Sequence, residues 1–167
     1  MGEIDAVSNG IQLRAGGRAQ PPPQPPADCG SSRSPLERKI IVQFKLNLHD
    51  AIFEVTTSGD AILQGYFDFT LAVLDHEEWK PGGLILLNHT ELNTGPLTID
   101  DIQAIANISE QYSERLGKAK VAIVVDRDLD YGMTRMWQSL VESHTTSHDS
   151  SEIFRNRDKA VAWLKSF

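Results

Sequence analysis

The sequence predicts an α/β fold: an N-terminal β-hairpin followed by three strand-helix units, forming a mixed, mostly parallel five-stranded sheet covered by about four helices. Three observations carry this reading. Two runs between residues 40 and 55 alternate apolar and polar residues, the period of strands with one buried face. Later apolar runs are unbroken over four or five residues, as in parallel strands covered on both sides. Between them the apolar spacing becomes helical, and alternating strands and helices imply right-handed crossovers and parallel neighbours.

The elements follow in order. Ile40, Val42, Phe44, Leu46 and Leu48 mark the first strand, Asn47 to Asp50 the turn, and Ala51, Phe53 and Val55 the second strand. Asp60 is the expected N-cap of a helix bearing Ile62, Leu63, Tyr66, Phe67, Val73 and Leu74, in a segment closed by Pro81-Gly82-Gly83. Leu84 to Leu87 form the third strand. Thr98 and Asp101 then match a capping arrangement for a helix with Ile102, Ile105, Ala106, Tyr112 and Leu116, stopped by Gly117. Val121 to Val125 are the fourth strand, and Met133, Met136, Trp137, Leu140 and Val141 mark a helix starting at Tyr131. A polar loop over residues 143–151, a short strand at Ile153-Phe154 and a helix with Ala160, Val161, Trp163 and Leu164 complete the chain.

Composition divides the chain at residue 36. Residues 1–36 hold six of the eight prolines, five of the twelve glycines and eleven apolar residues. This is the make-up of a disordered tail, with Pro21 to Pro26 favouring extended polyproline geometry. Residues 37–167 carry 56 apolar residues in 131, enough for a core without disulfides or metals. The tail balances three acids with three bases, so the whole net charge of −7 falls on the domain. That charge argues against nucleic acid as a partner. The single cysteine, Cys29, lies in the tail and leaves the domain no disulfide or thiolate metal site. With no run of about 18 apolar residues and no leader-like segment, the expected location is the cytoplasm.

In open parallel sheets ligands collect beyond the carboxyl ends of the strands. That rule selects Asn88, His89, Thr90 and Glu91 after the third strand, Asp126, Arg127, Asp128, Asp130 and Tyr131 after the fourth, and Arg155, Asn156 and Arg157 after the last. The alternating acids at 126, 128 and 130 open like a calcium loop, but Tyr131 and Trp137 stand where the glycine and the bidentate glutamate belong, so the acids are assigned to a helix start. His144 and His148 have metal-ligand spacing in a segment that reads as loop. Phosphate-binding glycine loops and the G-x-S-x-G nucleophile elbow are absent. The Met133, Met136, Trp137 stripe is assigned to the core, with a floor for an apolar ligand as the alternative.

Residues 117–126, the segment Tyr131-Gly132-Met133-Thr134-Arg135-Met136, and Ile153-Phe154-Arg155 leading to Lys159-Ala160-Val161-Ala162-Trp163-Leu164 are similar to the SpoIIAA-like family of bacterial STAS-type domains. The resemblance implies helices on a mixed sheet, no assigned enzymatic activity, no cofactor, and a role in binding proteins or small ligands, with membrane or apolar-ligand association for some members. The Asp-Ser-Ser-Gly-like turn that carries the phosphorylatable serine of anti-sigma-factor antagonists is missing, since residues 88–98 read Asn-His-Thr-Glu-Leu-Asn-Thr-Gly-Pro-Leu-Thr. Partner switching is therefore not carried over. The resulting expectation is a non-enzymatic, regulatory binding module. A protein partner or small apolar or anionic ligand would meet it at the sheet's carboxyl edge, through Asn88, His89, Asp126, Asp128, Tyr131, Gly132 and Arg135. Alternatives are a lipid or apolar-ligand domain, an enzyme using Asp126, His89 and Arg135, and self-association as a homodimer.

Overall fold

The computed structural model describes residues 42–144 and 150–166. The tail at 1–36, the head of the first expected strand at Ile40, and His148 lie outside these residues. Strands β1 (Gln43–His49), β2 (Ile52–Asp60), β3 (Leu84–Asn93), β4 (Lys120–Val124) and β5 (Ser150–Phe154) form one sheet in sequential order. β1 runs antiparallel to β2, and each later neighbour is parallel. The helices are α1 (Leu63–Leu74), α2 (Ile99–Gln111), α3 (Ser113–Leu116), α4 (Asp128–His144) and α5 (Arg157–Lys165).

Right-handed crossovers repeated in one direction deliver every connecting helix to the same face of a sheet. Accordingly α2 packs against both α1 and α4, whereas α5, which follows the last strand, packs on β3, β4 and β5 from the opposite face. Strand periodicity sorts the core between the two. Ile52, Leu86, Ala122 and Val124 meet Ala160 and Leu164 of α5. Phe53, Val55 and Ile85 point the other way, to Phe69, Val73 and Leu74 of α1. Val42, Leu92 and Leu97 join Ile102 and Ile105 of α2, with Met133 and Trp137 of α4 packed partly buried against them.

Four local expectations need correction. β3 extends to Asn93, so Asn88, His89, Thr90 and Glu91 are strand rather than loop. The cause is non-local: beyond the hairpin, β2 continues to Asp60 and pairs with β3 as far as Asp60 against Asn93. Asp60 is therefore a strand residue that accepts a hydrogen bond from Asn93 Nδ2 at 2.8 Å, and α1 starts after Ile62 with no side-chain cap. α4 begins at Asp128, three residues before Tyr131, with Asp128 and Asp130 in its first turn. The helix after Thr98 breaks at Tyr112, leaving the short α3 before Gly117. The capping arrangement itself is present, with Thr98 Oγ1 accepting from Asp101 N at 3.1 Å and Asp101 Oδ2 accepting from Thr98 N at 2.8 Å.

Candidate functional site

The carboxyl edge brings part of the expected constellation together. Arg155, just after β5, reaches back to the β4–α4 connection, where Nη1 donates to the Asp126 carbonyl at 2.7 Å and Nη2 to Asp128 Oδ1 at 2.6 Å. Its guanidinium lies 5.0 Å from the centre of the Tyr131 ring. Gly132 is exposed, and a Cβ there would meet nothing within 4 Å, so packing within the protein does not require glycine at this position. Asn88 Oδ1 accepts from Thr90 N and Oγ1 within the strand. Arg157, also expected at this edge, is committed elsewhere: it donates to both oxygens of the buried Glu54 at 2.7 and 2.6 Å.

Arg135 and His89 do not join this cluster. α4 begins earlier than expected, so Arg135 sits seven residues along it, about 10 Å from its start. There Nη1 donates to Gln138 Oε1 at 2.7 Å, and Gln138 in turn donates to the Ser151 carbonyl. His89 is only 4% exposed and faces the helices. No hydrogen bond links Asp126, His89 and Arg135: His89 meets Thr57, Arg135 meets Gln138, and Asp126 engages Arg155 through its carbonyl.

Beneath the edge the α1–α2–α4 layer does not close on the sheet. A partly open cavity of about 120 Å³ remains, walled by Phe69 and Val73 of α1, Ile105 of α2, Trp137 of α4 and Leu87 and Ile123 of the sheet, with His89 in its wall. Thr57 Oγ1 lies 2.6 Å from His89 Nδ1. The imidazole meets Tyr66 edge-on and Phe69 at a tilt, each with ring centres 6.0 Å apart. Burial pushes His89 down to about 4, against the opposing pull of the Asp130 carboxylate, so the ring is neutral at pH 7. Burial, reinforced by Asp130, raises the Tyr66 hydroxyl well above its ordinary value.

Asp130 is the charged residue behind this wall, 1% exposed. Desolvation opposes its ionisation, but hydrogen bonds from Arg127 and from the Thr94 hydroxyl and amide outweigh that penalty and hold the carboxyl below its usual range. It thus ties the first turn of α4 to the segment entering α2, next to the cavity. Sequence reasoning assigned Asp130 to a helix start at the edge, not to a buried tie. Its burial depends on Thr94, a contact 36 residues away that no local pattern reveals.

Among the solved structures similar to this chain are the following two. The crystal structure of an uncharacterised DUF3478-family protein with a SpoIIAA-like fold, from Shewanella loihica PV-4, matches with a TM-score of 0.51 and 17% identity, covering 74% of this chain and 94% of that one. An anti-sigma factor antagonist from Mycobacterium paratuberculosis matches with a TM-score of 0.51 and 12% identity, covering 75% and 95%. The domain has the SpoIIAA-like, STAS-type fold. No family model matches the chain, and no curated protein does. Within this fold the hairpin, the later parallel strands and the helix layer are those the sequence predicted. Among the described residues, no helix is long and apolar enough to cross a membrane.

Proposed function

We propose that this STAS-type domain is a non-enzymatic, regulatory binding module whose ligand is a small apolar molecule held between the sheet and α1, α2 and α4. The observation that carries this is the cavity of about 120 Å³ in the core. Protein interiors are packed as densely as organic crystals. The side chains lining such a gap lose dispersion contacts, which an occupant restores. Dry apolar cavities near this size accept molecules as large as benzene.

Toluene is a suitable probe. Titrated into the protein, it is expected to move the methyl NMR resonances of Val73, Leu87 and Ile105 selectively and to raise the melting temperature. Ser109→Leu, which adds three carbons at the wall, is expected to hold or raise stability and to weaken toluene binding at least tenfold. Unmoved cavity methyls at millimolar toluene would reject the reading.

A second reading rests on the carboxyl edge. Ile99 is 72% exposed and Leu129 54% exposed, two large apolar residues in the first turns of α2 and α4, with Leu129 next to Asp128 in the chain. A protein partner would cover them, and the name of the Mycobacterium protein points to a role exerted on another protein. Native mass spectrometry of protein purified from its own host separates the readings. A retained small molecule favours the cavity; a second polypeptide favours the edge.

A further inference from the structure

Among the described residues the cavity wall contains no Asp, Glu, Lys or Arg side chain, yet it is not uniformly apolar. His89 stands at a β-bulge. Thr56 pairs with Asn88 but Ser58 pairs with Glu91, so β3 spends one more residue than β2 across this interval. Bulges re-aim side chains, and here the ring lies against Tyr66 and Phe69 in the cavity wall.

Thr57 engages Nδ1 and leaves Nε2 as the other ring nitrogen. Thr57 has one hydroxyl proton and two candidate acceptors, His89 Nδ1 at 2.6 Å and the Asn88 carbonyl at 3.3 Å. If the hydroxyl proton goes to the nearer acceptor, it goes to Nδ1. A neutral imidazole that accepts at Nδ1 carries its own proton on Nε2. That N–H has no partner among the described residues. Trp137, on the same wall, has a donor of its own, Nε1, buried without an acceptor. Buried donors normally find partners.

We infer that the cavity's ligand is neutral and carries a hydrogen-bond acceptor, a carbonyl oxygen in the simplest case, which takes the Nε2 proton of His89. This inference rests on the cavity reading above. Neutrality follows from the wall, which offers no cation to balance a carboxylate, while the buried Asp130 carboxylate behind Thr94 repels one. The neutral state of His89 at pH 7 completes the match.

Acetophenone and α-methylstyrene have nearly the same shape and differ by a carbonyl oxygen in place of a methylene. Their dissociation constants are measured by NMR titration on the full chain and on His89→Phe, which keeps a ring and removes both nitrogens. The ratio of acetophenone to α-methylstyrene affinity is expected to fall about tenfold in His89→Phe. In the unmodified protein, ring ¹⁵N spectra are expected to show a protonated Nε2 whose resonance moves with acetophenone and not with α-methylstyrene. These spectra decide the matter even if His89→Phe does not fold. Binding of both probes with an unchanged ratio, or a proton on Nδ1, overturns the inference and leaves the cavity reading standing. Binding of neither probe overturns both.

Discussion

His89 gives up water for two aromatic rings and one hydroxyl, and that exchange has a measurable consequence. Its ordinary value is 6.5 and burial lowers it to about 4 in the native protein. Between these values the unfolded chain binds a proton that the folded chain refuses, so stability is full above about pH 6.5 and falls as the pH drops toward 4. The expected loss is roughly 2–4 kcal/mol across the window. Asp130 acts lower on the scale: its depressed native value contributes stability above 3.8, lost as the pH falls further. Urea midpoints at pH 7, 5.5 and 4.5 check this, with His89→Phe expected to flatten the upper part of the decline. A wild-type midpoint that does not change from pH 6.5 to 4.5 would place the imidazole in water.

At the scale of elements, the β1–β2 hairpin closes through Asp50 and Ala51 with φ of 52° and 62°. Two positive φ values define the turn that matches strand twist, and it favours Asn-Gly or Asp-Gly. Ala51 carries a Cβ in a region where L-residues are strained by about 1 kcal/mol. Ala51→Gly is therefore expected to stabilise the domain by about 0.5–1 kcal/mol, read as a raised denaturation midpoint with an unchanged slope. A lower midpoint would show that unfolded-state entropy outweighs the relief of strain. The hairpin was legible but its turn was not: the expected turn at Asn47 to Asp50 is mostly β1, which runs to His49, and Ala51 is in the turn rather than the second strand. The Thr98–Asp101 capping box, by contrast, is recognisable from four residues. The start of α1 was not, because it lacks a side-chain cap and is set by packing. The same distinction governs the site. Asp126, Asp128 and Tyr131 could be placed together from the sequence because loops after parallel strands share an edge, and Arg155 contacts all three. His89 was misplaced because the pairing that lengthens β3 is made by residues 33 positions away. The cavity is a gap between helices, and the Met133–Trp137 stripe gives the same helical period whether its far side is filled or empty.

At the scale of the whole molecule, the boundary of the folded unit can be argued from both ends of the tail. Residues 1–36 carry balanced charge and eleven apolar residues, so their removal alters neither the net charge of the domain nor much of its apolar content. Val42, by contrast, is 4% exposed and lies directly over α1, where a Cβ at Gly65 would fall 2.5 Å from Val42 Cβ. Glycine at 65 allows that approach, and Val42 links the start of β1 to Leu92, Leu97 and Ile102. A chain of residues 37–167 is therefore expected to melt within a few degrees of the full-length protein. A chain beginning at residue 44 loses a buried valine worth about 1.5–3 kcal/mol and is expected to melt about 5–10 °C lower. Differential scanning calorimetry of the three chains makes the comparison. Equal melting temperatures for the two shortened chains would remove Val42 from the core, and a large drop already at residue 37 would move the boundary into the tail.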